Sequence, residues 1–82
     1  MTGYYDLALI INSDMTLSQL KKTFEKLESL NIYIDYNSLE LNADFSYIMV
    51  QYPDNINLNA LDKSISKIDG IEIDYNTMAY WD

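Results

Sequence analysis

The sequence predicts one α+β domain whose elements follow the order βαββαβ. Three observations support this prediction. Short β-rich runs alternate with two amphipathic helical segments, the second half of the chain repeats the pattern of the first, and 82 residues suffice for a single domain. We therefore expect residues 1–82 to form one compact domain, built from two strand–helix–strand halves at about 4–37 and 45–80.

The first half opens with a strand and a helix. Residues 4–11 are β-rich and end at the turn-prone segment Asn12-Ser13-Asp14. Thr16 and Gln19 have the spacing of a capping box, and Asn31 is a typical helix stop. Between them, apolar residues recur with the 3-4-3 spacing of a helix with one buried stripe, at Leu17, Leu20, Phe24 and Leu27.

Two further strands follow this helix. Residues 32–36 alternate with a period of two, as a half-buried strand does. Leu39 and Leu41 then fall on the opposite parity, so we expect a kink around Asn37-Ser38. Residues 45–52 form the third predicted strand, after a turn at 42–44.

The second half repeats this arrangement. Asn57 can cap a helix that we expect to end at Gly70, and residues 71–76 supply the last strand. A shift of 39 residues aligns Ile-Asp-Tyr-Asn at 34–37 with the same four letters at 73–76. A shift of 41 residues aligns the first apolar stripe with a second one at Leu58, Leu61, Ile65 and Ile68.

Two such halves predict the ferredoxin-like fold. Right-handed crossovers put both helices on one face of a four-stranded antiparallel sheet, and the usual strand order of the fold is 4-1-3-2. The other sheet face is then open. At the C-terminus, Tyr80 and Trp81 either pack over the end of the core or form an exposed anchor, and the sequence leaves both alternatives open.

The composition argues against most enzyme mechanisms. The chain contains no Cys, His or Arg, so it lacks a thiolate, an imidazole base and the guanidinium fork that holds phosphate. Glu72 and Asp74 would share a strand face, but two carboxylates without a third ligand are more typical of a solvated pair than of a cation site. We therefore predict no enzymatic activity, no catalytic residue, no cofactor and no metal.

The formal charge of −8 is distributed unevenly. All five lysines fall in the predicted helices with only three acids, whereas the strands and loops hold the other ten acids and no base. Charged sheet faces are often merely solvated, but the exclusion of lysine together with outward Tyr and Met favours a binding surface. Strand parity predicts the partner-binding residues as Asp6, Tyr33, Asp35, Tyr47, Met49, Glu72 and Asp74.

Such a face can occupy the lysines and arginines with which a protein binds DNA or RNA. In size, charge and chemistry, though in no motif, the chain resembles the small acidic anti-restriction and anti-CRISPR proteins. The resemblance implies an inhibitor that binds a basic surface of a nucleic-acid-processing enzyme by mimicry. An Arg-free composition rich in Asn, Ile and Tyr is compatible with a phage or mobile element. The expected location is the cytoplasm, that of the host cell if a phage encodes the chain.

Other functions fit the sequence less well. The topology is similar to that of ACT-like regulatory domains, which bind small ligands. A dimeric adaptor is the other alternative, so the sequence is also compatible with a homodimer. However, the turn at 12–14 lacks a glycine that would let a ligand approach the backbone. RNA-recognition domains stack bases where Tyr4 and Tyr47 would lie, but the acidic surroundings repel phosphate, so we expect no direct nucleic-acid binding. We expect no signal peptide, because the first residues are neither basic nor followed by a long apolar stretch, and no membrane partner, because no apolar run is long enough to span a bilayer.

Overall fold

A computed structural model describes residues 3–12, 14–42 and 46–81. The six elements follow the predicted order. The strands are β1 (Tyr4–Ile11), β2 (Tyr33–Glu40), β3 (Ser46–Pro53) and β4 (Ile71–Trp81). The helices are α1 (Leu17–Ser29) and α2 (Leu58–Ser66). Phe45, the expected first residue of the third strand, lies outside the described residues.

The four strands form one sheet in the order β2-β3-β1-β4, with each neighbouring pair antiparallel. This is the 4-1-3-2 order counted from the other edge, so the predicted ferredoxin-like fold is confirmed. The central strands β1 and β3 come from different halves of the chain. Each half therefore contributes one central strand and one edge strand.

The helices cover one face of the sheet, and the core lies between the two layers. Leu7 and Leu9 of β1, together with Ile48 of β3, are completely buried there. The predicted helix stripes contribute the remaining layer, except at Leu17, which is 76% exposed because it lies in the first turn of α1, at the rim of the core. The buried stripe residues of the helices are Leu20, Phe24, Leu27, Leu61 and Ile65.

Side chains cap the helices largely as the sequence predicts. The Thr16 hydroxyl accepts the Gln19 N–H at 3.1 Å, and the Gln19 side chain accepts the Thr16 N–H at 2.9 Å, which confirms the capping box. Asn57 accepts from the first turn of α2. The prediction that this helix ends at Gly70 is wrong: α2 ends at Ser66, and Gly70, with φ +89°, forms the turn into β4.

Both edge strands contain the same irregularity. On β2, Asp35 lies opposite Met49 but Glu40 lies opposite Tyr47, so β2 has three extra residues there. On β4, Asp74 lies opposite Ala8 but Ala79 lies opposite Asp6, again with three extra residues. An odd insertion reverses the parity of the strand, and Leu39 and Met78 therefore pack against the core. The kink expected near Asn37-Ser38 is confirmed, and β4 has its counterpart.

A side-chain hydroxyl connects each bulge to the neighbouring central strand. The Ser38 hydroxyl donates to the Asp35 carbonyl at 2.6 Å and accepts the Met49 N–H at 2.8 Å. The Thr77 hydroxyl donates to the Asp74 carbonyl at 2.9 Å and accepts the Ala8 N–H at 2.8 Å. We call each of these pairs of hydrogen bonds a hydroxyl bridge.

The carboxylates of the same two aspartates support the bulges. Asp35 accepts the N–H of Asn37, and Asp74 accepts the N–H of Asn76, each at 3.1 Å. These are Asx turns, in which the side chain imitates a backbone turn. The repeated letters Asp-Tyr-Asn followed by Ser or Thr thus encode one local structure twice.

One polar group in the core has no partner among the described residues. Tyr52 is 1% exposed, its hydroxyl makes no hydrogen bond there, and burial raises the pKa of the phenol. We expect Tyr52→Phe to raise the free energy of unfolding by about 1 kcal/mol, because the variant no longer buries an unsatisfied hydroxyl. Urea denaturation measures this change, with Tyr33→Phe as the control at an exposed tyrosine. A clear loss of stability in Tyr52→Phe would show that the hydroxyl is bonded in solution.

Candidate functional site

The sheet face opposite the helices, here called the open face, is organised in rows that run across the strands. The strand register places the first row near the C-terminal end of β1 and the second row near the middle of that strand. The first row, from β2 to β4, consists of Glu40, Tyr47, Ile10 and Glu72. The second consists of Asp35, Met49, Ala8 and Asp74.

In both of these rows, carboxylates stand at the two ends and less polar side chains stand between them. Neighbouring strands lie about 4.8 Å apart, so the carboxylates at the two edges are separated by about 14 Å at the backbone. Ala8 is buried by its neighbours even on this face, whereas Ile10, Tyr47 and Met49 are half-buried. The open face therefore has an apolar centre and two acidic edges.

The other two rows differ in character. The third row consists of Tyr33, Gln51, Asp6 and Ala79. The fourth consists of Pro53, Tyr4 and Trp81. The edge positions here hold Tyr33, Ala79 and Trp81 instead of carboxylates, and Asp6 stands on a central strand. The open face thus changes from acidic-edged to aromatic along the strand direction.

The structure brings all seven sequence-predicted residues onto the open face. Those on the edge strands are Tyr33, Asp35, Glu72 and Asp74, and those on the central strands are Asp6, Tyr47 and Met49. Asn76 is the next outward position of β4 by period-two parity, but it lies in the β4 bulge.

Sequence reasoning missed Glu40 and the orientation of Trp81. Both follow a bulge, and period-two parity carried through a three-residue insertion assigns them to the wrong face. The available signal was the apolar Leu39, because a core-facing Leu39 requires an outward Glu40.

The lysines lie away from the open face, although the helices also carry Glu25, Glu28 and Asp62. The open face carries five carboxylates, at Asp6, Asp35, Glu40, Glu72 and Asp74. All five lysines belong to α1 or to α2 and its C-cap. Three of them line a cleft of about 390 Å³ beside the turn that contains Gly70, at Lys22, Lys26 and Lys67.

Two equivalent tyrosines connect the bulges to the helices. The Tyr36 hydroxyl donates to Glu28 of α1, and its ring meets Phe24 edge-on at 5.6 Å. This hydrogen bond is the main reason that the pKa of Tyr36 rises to about 12. A hydrogen bond with Asp62 of α2 likewise raises the pKa of Tyr75. Each edge strand is therefore tied to a different helix.

We expect Tyr36→Phe to remove a pH-dependent part of the stability. A tyrosine whose pKa is raised in the folded state stabilises the fold fully below its ordinary pKa of about 10. That contribution is lost as the pH rises through about 12. Urea denaturation between pH 8 and 12 should therefore show a steeper fall for the native chain than for the variant. Parallel curves would contradict the hydrogen bond to Glu28.

The two aromatic residues near the end of β4 have different environments. Tyr80 lies on the helix side, with its ring 4.8 Å from that of Tyr5, and its hydroxyl donates to the Asp54 carboxylate at 2.7 Å. Trp81 lies opposite Tyr4 on the open face and is 52% exposed. Tyr80 is itself 50% exposed, so neither residue belongs to the buried core, and packing over the end of the core and an exposed anchor both stay open for this segment.

Among the described residues, no group of three or more acidic side chains is placed so that it could hold a metal ion. Within the same residues, neither helix has the length and apolar character needed to cross a bilayer.

Comparison with known proteins shows the fold and little else. No protein-family model matches the chain, and no curated protein sequence matches it. Among solved structures, it is similar to one described as the chemotaxis kinase CheA P2 domain in complex with the response regulator CheY, from the thermophile Thermotoga maritima. The TM-score is 0.57 at 15% sequence identity, over 98% of this chain and 96% of that chain. The chain thus shares its ferredoxin-like architecture with a domain that was solved bound to another protein.

Proposed function

We propose that this chain is a non-enzymatic protein-binding module whose open face binds a basic protein surface. We further propose that the partner uses that same surface to bind DNA or RNA, so that the chain acts as an inhibitor by mimicry. The observation that carries the proposal is the pair of rows with carboxylates at both ends and apolar side chains between them.

The two parts of these rows would contribute differently to binding. Carboxylates of one sign attract a basic partner over long range and accelerate association. The apolar centre, with Tyr47 and Met49, supplies area that is removed from water on contact, and Tyr and Met are enriched in interfaces. A purely solubilising surface needs the charges but not this arrangement.

The geometry of the edges supports nucleic-acid mimicry. The strands β2 and β4 run antiparallel to each other, as the two backbones of a duplex do. Their acidic side chains start about 14 Å apart, compared with a major-groove width of about 12 Å. A partner that contacts phosphates on both sides of a groove would meet carboxylates at similar separation.

The structural comparison supports the coarser part of the proposal. The CheA P2 domain has the same fold and is described in complex with a protein, the response regulator CheY. It thereby offers a precedent for protein binding by this architecture. The acidic face and its inhibitory role rest on the residues of this chain alone.

A second candidate, an ACT-like regulatory domain or dimeric adaptor, draws on a different feature. The cleft beside α1 is lined by both acids and lysines, including Asp14, Lys22 and Asp69. The β1–α1 turn contains no glycine, but Gly70 of the turn before β4 also lines this cleft and provides a small residue there. Dimerisation in response to an added amino acid, followed by calorimetry, would favour this candidate.

Competition with DNA tests the main proposal. A fluorescent duplex is bound to each of a panel of restriction endonucleases and RNA-guided nucleases, and the chain is titrated in while the anisotropy is followed. We expect displacement of the duplex from at least one enzyme, weakening as salt is added. The matched control is Lys21→Gln with Lys63→Gln, which alters two charges on the helix side. Binding that leaves the duplex in place would overturn mimicry, and no binding to any enzyme would overturn the proposal as a whole.

A further inference from the structure

We propose that Tyr4, Asp6 and Trp81 form a notch on the open face that receives an arginine side chain of the protein partner. This inference rests on the proposed function and deepens it, because it assigns the third and fourth rows a ligand chemistry of their own. It concerns the aromatic end of the open face, where the acidic edges are replaced.

Register places the members of the notch next to one another. Tyr4 lies opposite Trp81, and Asp6 lies opposite Ala79. Residues two apart on one strand project from the same face about 7 Å apart, and the strands are about 4.8 Å apart. The four positions therefore outline a small rectangle with two aromatic rings at one end and a carboxylate at the other. Ala79 occupies the remaining corner and carries only a methyl group, so no large side chain stands there.

The usual structural explanations do not account for these side chains. Tyr5 and Tyr80 lie on the helix side with their rings 4.8 Å apart, whereas Tyr4 and Trp81 lie opposite each other on the open face, 40% and 52% exposed. Outward acids commonly protect edge strands against aggregation. Asp6, however, belongs to β1, a central strand paired on both sides, so edge protection gives no reason for a carboxylate there.

The combination suits a guanidinium group. Its flat surface stacks on the face of Trp or Tyr, and its N–H groups match the two oxygens of a carboxylate. An ammonium group is a compact, strongly hydrated charge and cannot stack in this way. A phosphate or carboxylate ligand would be repelled by Asp6. The chemistry of the notch thus selects arginine over lysine and over anions.

The chain carries its own reporter for this site, because Trp81 is its single tryptophan. We would titrate the full chain with N-acetyl-arginine amide at low salt and follow the tryptophan emission. N-acetyl-citrulline amide, of nearly the same shape but uncharged, and N-acetyl-lysine amide serve as matched ligands. We expect a saturable change with the arginine amide, none with the citrulline amide, and a clearly weaker one with the lysine amide.

Variants separate the notch from the overall charge of the chain. Asp6→Asn is expected to weaken arginine binding about fivefold, whereas Glu25→Gln, which removes an exposed carboxylate from α1, should leave it unchanged. An equal response to citrulline or lysine, or an unaltered affinity in Asp6→Asn, would overturn the notch. The assay needs no protein partner. Displacement of DNA without arginine binding would therefore overturn only this inference, and arginine binding without displacement would overturn only mimicry.

Discussion

Reversing both acidic ends of the first row, Glu40→Lys together with Glu72→Lys, is expected to weaken binding to a basic partner at least about 100-fold. Removing one member of a buried, hydrogen-bonded charge pair costs about 2–5 kcal/mol, and each factor of ten in affinity corresponds to about 1.4 kcal/mol. A reversed charge adds repulsion to that loss. The duplex-displacement assay measures the affinity, and its dependence on salt should become shallower in the variant.

The choice of this row matters, because the acids of the second row also have a structural role. Asp35 and Asp74 accept backbone N–H groups within the bulges. A companion variant, Asp35→Asn with Asp74→Asn, removes both charges but keeps a side-chain oxygen for those hydrogen bonds, and we expect it to weaken binding with little loss of stability. If both double variants displace the duplex as well as the native chain does, the open face is not the binding surface.

Removing the two hydroxyl bridges should have the largest effect on stability. We expect Ser38→Ala and Thr77→Val each to lower the free energy of unfolding by about 1–3 kcal/mol, because the N–H groups of Met49 and Ala8 lose their acceptors within the sheet. A chain of 82 residues is stabilised by about 4–12 kcal/mol in total. The double variant therefore loses a large share of that stability. Urea denaturation measures it.

Conservative exchanges provide the matched controls. Ser38→Thr and Thr77→Ser keep a hydroxyl at each position, so we expect both to retain most of the stability. Amide hydrogen exchange gives a local readout, since the N–H groups of Ala8 and Met49 should exchange faster only in the variants without a hydroxyl. A Thr77→Val chain as stable as Thr77→Ser would show that the bridge contributes nothing.

The sequence predicts the fold well because its periodic signals are strong and repeated. The 3-4-3 spacing around Leu20, Phe24 and Leu27 defines the buried side of α1, and the capping box of Thr16 defines its start. An apolar stripe with the same spacing 41 residues later and the cap at Asn57 indicate α2, although the last stripe residue, Ile68, lies beyond its end at Ser66. Right-handed crossovers then leave one sheet topology for two such halves.

The site was harder to predict because its geometry depends on the length of the bulges. The parity of Leu39 indicates a break in β2 but not the number of inserted residues. In the bulge, the Ser38 hydroxyl accepts the Met49 N–H in place of a backbone carbonyl of β2. This is a tertiary contact, and it leaves no periodic signal in the sequence. In β4 the equivalent segment, residues 74–77, resembles the end of a strand, because polar residues such as Asn76 and Thr77 often follow one. The extension to Trp81 and its place on the open face were therefore missed.

The equivalence of the two halves also has a consequence for circular permutation of the chain. Gly3 and Trp81 meet at one end of the sheet, where a Cβ added to Gly3 would collide with the Trp81 carbonyl. Joining the ends there and opening the chain between β2 and β3 would exchange the order of the halves. Because each half is a strand, a helix and a strand, the circular permutant would again have the order βαββαβ, with the two central strands exchanging roles. The order of the elements is therefore the same whichever half comes first in the chain.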